Sequence, residues 1–225
     1  MSQEFAITDE QMKKYEDLLA NNQKISEEVS KQEAKFDAFS SLAGPSRVLF
    51  DVKTTLPLSF KGQALISCDS SNSKDVLVGM AKFVKQCNQR PVFVLMNYNY
   101  KTIQNALKEE GITSDYIIID TVAKSISNAV DTENVFFVDS LRNLTQIQIK
   151  VINVLEWNKD VAFIFDSLGV LNLYHDEEVV FKFIYSLTKI LHKANATGFY
   201  ISSKKGLAPK LSQFFDESVE LKKYI

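Results

Sequence analysis

From residue 46 onward, short runs rich in β-branched and aromatic residues alternate with longer stretches that carry apolar residues at helical spacing. No other feature restricts the fold as much. Strands joined through helices become parallel strands with right-handed crossovers, and a parallel sheet needs helices on both faces. The runs read as strands are 47–52, 64–68, 92–96, 116–119, 135–138, 161–165, 198–201 and 218–221. Between them, 74–86 places Val76, Leu77, Met80, Phe83 and Val84 on one helical face. Thr145 with Gln148 offers a capping box ahead of Ile147, Val151, Ile152 and Leu155, and 176–193 repeats apolar residues from Val179 to Leu191. The expected body, 46–225, is an α/β domain built on a mainly parallel sheet flanked by helices.

The first 45 residues differ in kind. Residues 1–42 hold five lysines against nine acids, a net −4 in a chain whose total is −2. Thr8 and Gln11 form a capping box, so a helix is expected to start there. Tyr15, Leu18, Asn22, Ile25, Val29, Gln32, Phe36 and Phe39 then recur at alternating spacings of three and four. A narrow apolar seam of this kind suits either a coiled coil, in which Asn22 would fix the register, or a helix docked on another surface. Tyr15, Leu18, Asn22, Ile25, Val29 and Phe36 are the candidate oligomerisation residues. Gly44-Pro45-Ser46 is expected to end this helix, because proline lacks an N–H and glycine opens the backbone.

Composition narrows the function class. The chain has 225 residues, 45% of them hydrophobic and 24% charged, the balance of a globular protein. No window approaches the ~20 unbroken apolar residues of a membrane-spanning helix, and the start lacks the features of a secretory signal. A cytoplasmic protein is expected. With a pI near 5.8 there is no bulk positive field, so nucleic acid is not an expected partner. Cys68 and Cys87 lack metal-ligand spacing and read as free thiols, and His175 and His192 read as solvent-facing or capping groups.

In open α/β sheets, ligands sit beyond the carboxyl ends of the strands. After the run 64–68 comes Cys68-Asp69-Ser70-Ser71-Asn72-Ser73-Lys74-Asp75, which has the place and length of a phosphate-binding loop, G-x-x-x-x-G-K-[ST]. Only Lys74 keeps the pattern. Cys68 and Ser73 stand where two glycines let backbone amides approach phosphate oxygens, and Asp75 stands where a hydroxyl would hold magnesium. A carboxylate there repels a triphosphate. The second candidate is Asp166, which ends the apolar run 161–165. It is placed either to orient a magnesium shell or to cap the turn that follows. Tyr98, Tyr100 and Tyr116 offer an aromatic wall or ordinary packing, and Lys204-Lys205-Gly206 reads as a solvated turn.

The stretch Phe163-Ile164-Phe165-Asp166-Ser167-Leu168-Gly169-Val170-Leu171, with Tyr174-His175-Asp176-Glu177-Glu178 and Ala194-Asn195-Ala196-Thr197-Gly198-Phe199, resembles the Walker B half of KaiC-like proteins of the RecA superfamily, particularly an archaeal branch with eroded nucleotide motifs. Gly62-Gln63-Ala64-Leu65-Ile66, Asn134-Val135-Phe136-Phe137-Val138 and Asn143-Leu144-Thr145 extend the likeness. It implies a P-loop NTPase fold with strands ordered 5-1-4-3-2 and 64–68 in a central place beside 198–201. It also implies a catalytic glutamate after the strand that follows the phosphate-loop helix, where this chain has Met96-Asn97-Tyr98-Asn99-Tyr100. Loop and base are thus both degenerate, while Lys74 and Asp166 match by position.

The combined expectation is a non-catalytic pseudo-ATPase module acting as a protein-interaction or regulatory scaffold. It would recruit a second copy or another protein through its N-terminal helix, with no cofactor. The alternative is an unconventional ATPase in which ATP and magnesium engage Lys74 and Asp166, with Ser70, Ser71, Asn72, Ser73 and Asp75 lining the degenerate loop.

Overall fold

The computed structural model describes residues 43–69, 73–125, 129–203 and 208–221. The N-terminal stripe from Tyr15 to Phe39, the loop residues Ser70, Ser71 and Asn72, and the turn at Lys204, Lys205 and Gly206 lie outside the described residues. Seven parallel strands form one sheet: β1 (Gln63–Cys68), β2 (Arg90–Leu95), β3 (Ile117–Asp120), β4 (Val135–Phe137), β5 (Val161–Phe165), β6 (Thr197–Ser203) and β7 (Glu217–Glu220). They lie side by side in the order β4-β3-β2-β5-β6-β1-β7. The expected five-strand order is present from β7 to β2, and β3 and β4 extend the sheet beyond it. β1 pairs with β6 as expected, in the register Ala64 with Phe199 and Ile66 with Ile201. It stands one strand from the sheet edge, however, so the central place expected for it belongs to β5.

Alternation along each strand divides the core into two layers. On one face, Ile66, Phe93, Ile164, Phe199 and Ile201 meet α1 (Gly44–Thr55), α2 (Ser73–Gln86) and α3 (Tyr100–Glu109). On the other, Leu65, Val94, Phe163, Phe165 and Tyr200 meet α4 (Leu144–Trp157) and α5 (Glu177–Lys193). Because both faces are covered, the strands read as nearly continuous apolar runs, which is why their positions were visible. Tyr200 is wholly buried and gives its hydroxyl hydrogen to Gln63 Oε1 at 3.1 Å, so its polar end is satisfied inside the core.

The segment 47–52 departs from expectation. It is not a strand but part of α1, and Gly44-Pro45-Ser46 opens this helix. Proline suits a helix's first turn, where its missing N–H would have had no partner. Val48, Asp51 and Val52 form the buried stripe, a spacing of three and four that only a helix presents on one face, and Arg47 pairs with Asp51 at 3.2 Å. The compact unit of the body begins at Ala43.

Gly79 makes the close packing of α1 on α2 possible. A Cβ there would stand 2.6 Å from Val48 Cβ and 2.8 Å from the carbonyl oxygen of Pro45. A smaller correction concerns α4, whose cap is Asn143 and not Thr145: the Asn143 side chain accepts from the Gln146 N–H at 3.0 Å.

Candidate functional site

The connections after β2 and β5 leave the sheet in opposite directions. β2 runs into α3 on one face, while β5 runs through the 3-10 turn Leu168–Leu173 into α5 on the other. β2 and β5 are hydrogen-bonded neighbours, so their carboxyl ends bound the crevice where open α/β sheets place ligands.

Asp166 spans that crevice. Its Oδ2 accepts from the Asn97 N–H at 3.0 Å and from the Tyr98 N–H at 3.2 Å, fixing the turn after β2. Its own N–H donates to the Val94 carbonyl at 3.0 Å. The residue is completely buried, and Oδ1 makes no hydrogen bond. Burial penalises the charged form and pushes the carboxyl up to about 6, against the opposing pull of the amides at Asn97, Tyr98 and Met96. Asp166 thus holds the turn that follows β2, and not the turn after β5 that its place in the sequence suggested.

Asp120 does similar work one strand further. Its Oδ2 accepts from the Tyr100 N–H, and its Oδ1 accepts from the Val122 and Ala123 N–H groups, all at 2.7 Å. Sequence reasoning passed over Asp120, although a carboxylate closing an all-isoleucine strand is the same signal that singled out Asp166.

At the start of α2, Ser73 is buried and its Oγ lies 2.8 Å from the Tyr98 hydroxyl. Tyr98 thus links both candidates: its backbone is held by Asp166 and its hydroxyl meets the residue standing in the place of the second phosphate-loop glycine. Lys74 follows on the exposed side of the first turn. Asp75 is half-buried beside the start of α1, since a Cβ added at Gly44 would stand 3.8 Å from its Oδ2. An acid there faces the N-terminal ends of two helices, α1 and α2, where partial positive charge collects. The structure therefore brings together Ser73, Tyr98 and Asp166.

Other candidates resolve simply. The His175 Nε2 lies 3.0 Å from the Leu141 carbonyl oxygen, and His192 lies 3.4 Å from Asp216 Oδ2 on the surface. Cys68 and Cys87 form no disulfide with each other. Among the described residues no group of His, Cys, Asp and Glu could hold a metal ion, and no helix is long and apolar enough to cross a membrane.

Among the described residues, several cavities lie at the sheet ends. One of about 310 Å³ opens at the carboxyl ends of β2 and β3, and a wider, polar one of about 570 Å³ lies at the opposite rim beside Arg90 and Trp157. The second is a cleft between structural contacts: Arg90 is bound to Asn158 and Asn134, and Lys85 pairs with Asp115.

A family model described as "Family of unknown function (DUF7504)" matches residues 77–221. The chain belongs to that family. The matched DUF7504 region runs from α2 to the end of β7 and takes in Tyr98, Asp120 and Asp166. No curated protein matches the sequence. Among solved structures, a KaiC-like protein from the hyperthermophilic archaeon Pyrococcus horikoshii OT3 is similar over 73% of this chain and 74% of its own, with a TM-score of 0.52 at 13% identity. At that identity the likeness shows a shared fold: this DUF7504 member has the RecA-like, KaiC-like α/β architecture.

Proposed function

We propose that the protein is a non-catalytic module on a RecA-like fold, an interaction or regulatory scaffold in which the nucleotide position has been given over to the chain's own side chains. The observation that carries this reading is the bridge from Asp166 through Tyr98 to Ser73. A tyrosine hydroxyl takes the amino end of α2, and Asp75 adds a negative charge to the same end. The turn after β2, where the family resemblance would place a water-activating glutamate, reads Met96-Asn97-Tyr98 and offers no side-chain carboxylate to a nucleophile.

Phosphate release is the test. With ATP and magnesium, wild-type protein and Lys74→Ala are both expected to release phosphate at the rate of buffer alone. Sustained release that Lys74→Ala abolishes would replace this reading with that of an unconventional ATPase acting through Lys74 and Asp166.

The scaffold reading assigns partner recruitment to the apolar seam of residues 1–42, with Tyr15, Leu18, Ile25, Val29 and Phe36 as its contact residues and Asn22 as the register-setting one. Removing residues 1–42 is expected to leave a folded body that elutes as a monomer, while the full chain elutes as an oligomer. Light scattering that gives the two forms the same number of subunits would refute this assignment.

A further inference from the structure

We infer that the cavity at the carboxyl ends of β2 and β3 is a binding site for a small planar heteroaromatic molecule whose edge carries a hydrogen-bond donor beside an acceptor, as a carboxamide or a free nucleobase does. The site is separate from the degenerate phosphate loop. Its volume of about 310 Å³ lies at the lower end of ligand pockets, ~300–1,000 Å³, and suits a molecule of one or two rings. It opens in the crevice where the connections of β2 and β5 diverge, the place in which an open α/β sheet leaves room for a ligand.

The lining divides into walls and a polar edge. Met96, Leu141 and Val170 supply apolar walls, which exclude water from the faces of a ring. Leu173 and Tyr174 stand at the rim with exposures of 77% and 41%, large apolar groups that the core leaves unused. Tyr174 is backed by the Arg142 guanidinium, 5.7 Å from its ring centroid, which holds the ring in place for stacking.

Polar groups at the cavity are few. Asn97 is exposed, and among the described residues its carboxamide makes no hydrogen bond, although its backbone N–H is fixed by Asp166 at 3.0 Å. A carboxamide presents a donor and an acceptor side by side, the pattern that pairs with a planar amide edge. The Ser140 oxygen accepts from the Arg142 N–H at 3.1 Å, which leaves its own hydrogen for an acceptor. Thr121 donates to the Leu95 carbonyl at 2.8 Å, which leaves its oxygen to accept. Asn97 is thus anchored through its backbone and unengaged through its side chain, a use of polar chemistry that the fold does not require.

The probes are nicotinamide, adenine and uracil, free of any phosphate, titrated against the full chain and followed by saturation-transfer NMR. At least one is expected to bind saturably below about 1 mM. Asn97→Leu and Tyr174→Ala change exposed side chains and preserve the fold, and each should weaken that binding at least tenfold; Lys74→Ala should leave it unchanged. The inference is overturned if none of the three compounds binds saturably, if binding is equal in all variants, or if it is lost in Lys74→Ala. The last result would move the ligand to the phosphate loop and count against the proposed scaffold role as well.

Discussion

Gly79→Val is expected to destabilise the protein by about 3 kcal/mol, the upper range of overpacking costs, and so to lower Tm by roughly 6–12 °C. The sign is informative. Glycine inside an exposed helix costs about 1 kcal/mol relative to alanine, so a side chain added where α2 met only solvent would be neutral or stabilising. Here the new Cβ would lie 2.6 Å from Val48 Cβ and 2.8 Å from the Pro45 carbonyl oxygen. The Val48 Cβ and the Pro45 carbonyl oxygen are both fixed to the backbone of α1 and move only if the helix moves. Chemical denaturation measures the effect. Val48→Ala in the same chain should return part of the loss by removing Val48 Cγ1, which the new Cβ would meet at 2.7 Å, although the Val48 Cβ contact remains; additive losses would argue against direct packing.

The second large effect is a pH dependence that belongs to Asp166. Its folded-state value is raised from 3.8 to about 6. Between those values the folded protein holds a proton that the unfolded chain has released, so stability falls as pH rises through this window. The difference of roughly two units corresponds to about 3 kcal/mol, fully present below pH 4 and lost above pH 6. Asp131, Asp139 and Glu178 are shifted the other way by lysine partners and act at lower pH, so the Asp166 contribution is best isolated by comparison with Asp166→Asn. Asparagine keeps an oxygen for the Asn97 and Tyr98 amides and cannot ionise. From pH 4 to pH 7, wild type should lose roughly 2.5 kcal/mol relative to the variant by urea denaturation. Parallel pH curves for the two proteins would show that the carboxyl is not held as described.

How much of this was legible beforehand depended on the range of the interaction. β5 and α5 could be found in the sequence because period and burial agree within a single element: Val161–Phe165 is buried throughout, and Val180, Ile184, Leu187 and Leu191 share one helix face. The segment 47–52 misled because Val48, Leu49, Phe50 and Val52 have strand-favouring chemistry. Packing against Gly79 overrode local preference, and Pro45 at a helix start looks the same in sequence as proline at a helix end. At the candidate site the residue types were visible and their partners were not. Asp166 was marked by its place after an apolar run, yet the amides that hold it are nearly seventy positions earlier. Tyr98 looked like one tyrosine among several, and only the fold brings its hydroxyl to Ser73. The cavity beside Asn97 draws its lining from four separate segments and leaves no periodic trace in the sequence.

Everything proposed for the nucleotide position rests on the amino end of α2 being occupied by Tyr98 and Asp75. Calorimetric titration of the full chain with ATP and magnesium tests this most directly, with Tyr98→Ala run alongside. The account predicts no saturable heat from either protein at micromolar concentrations, because removing the tyrosine still leaves Asp75 facing the phosphates. Submicromolar binding of ATP by the wild-type chain would contradict it.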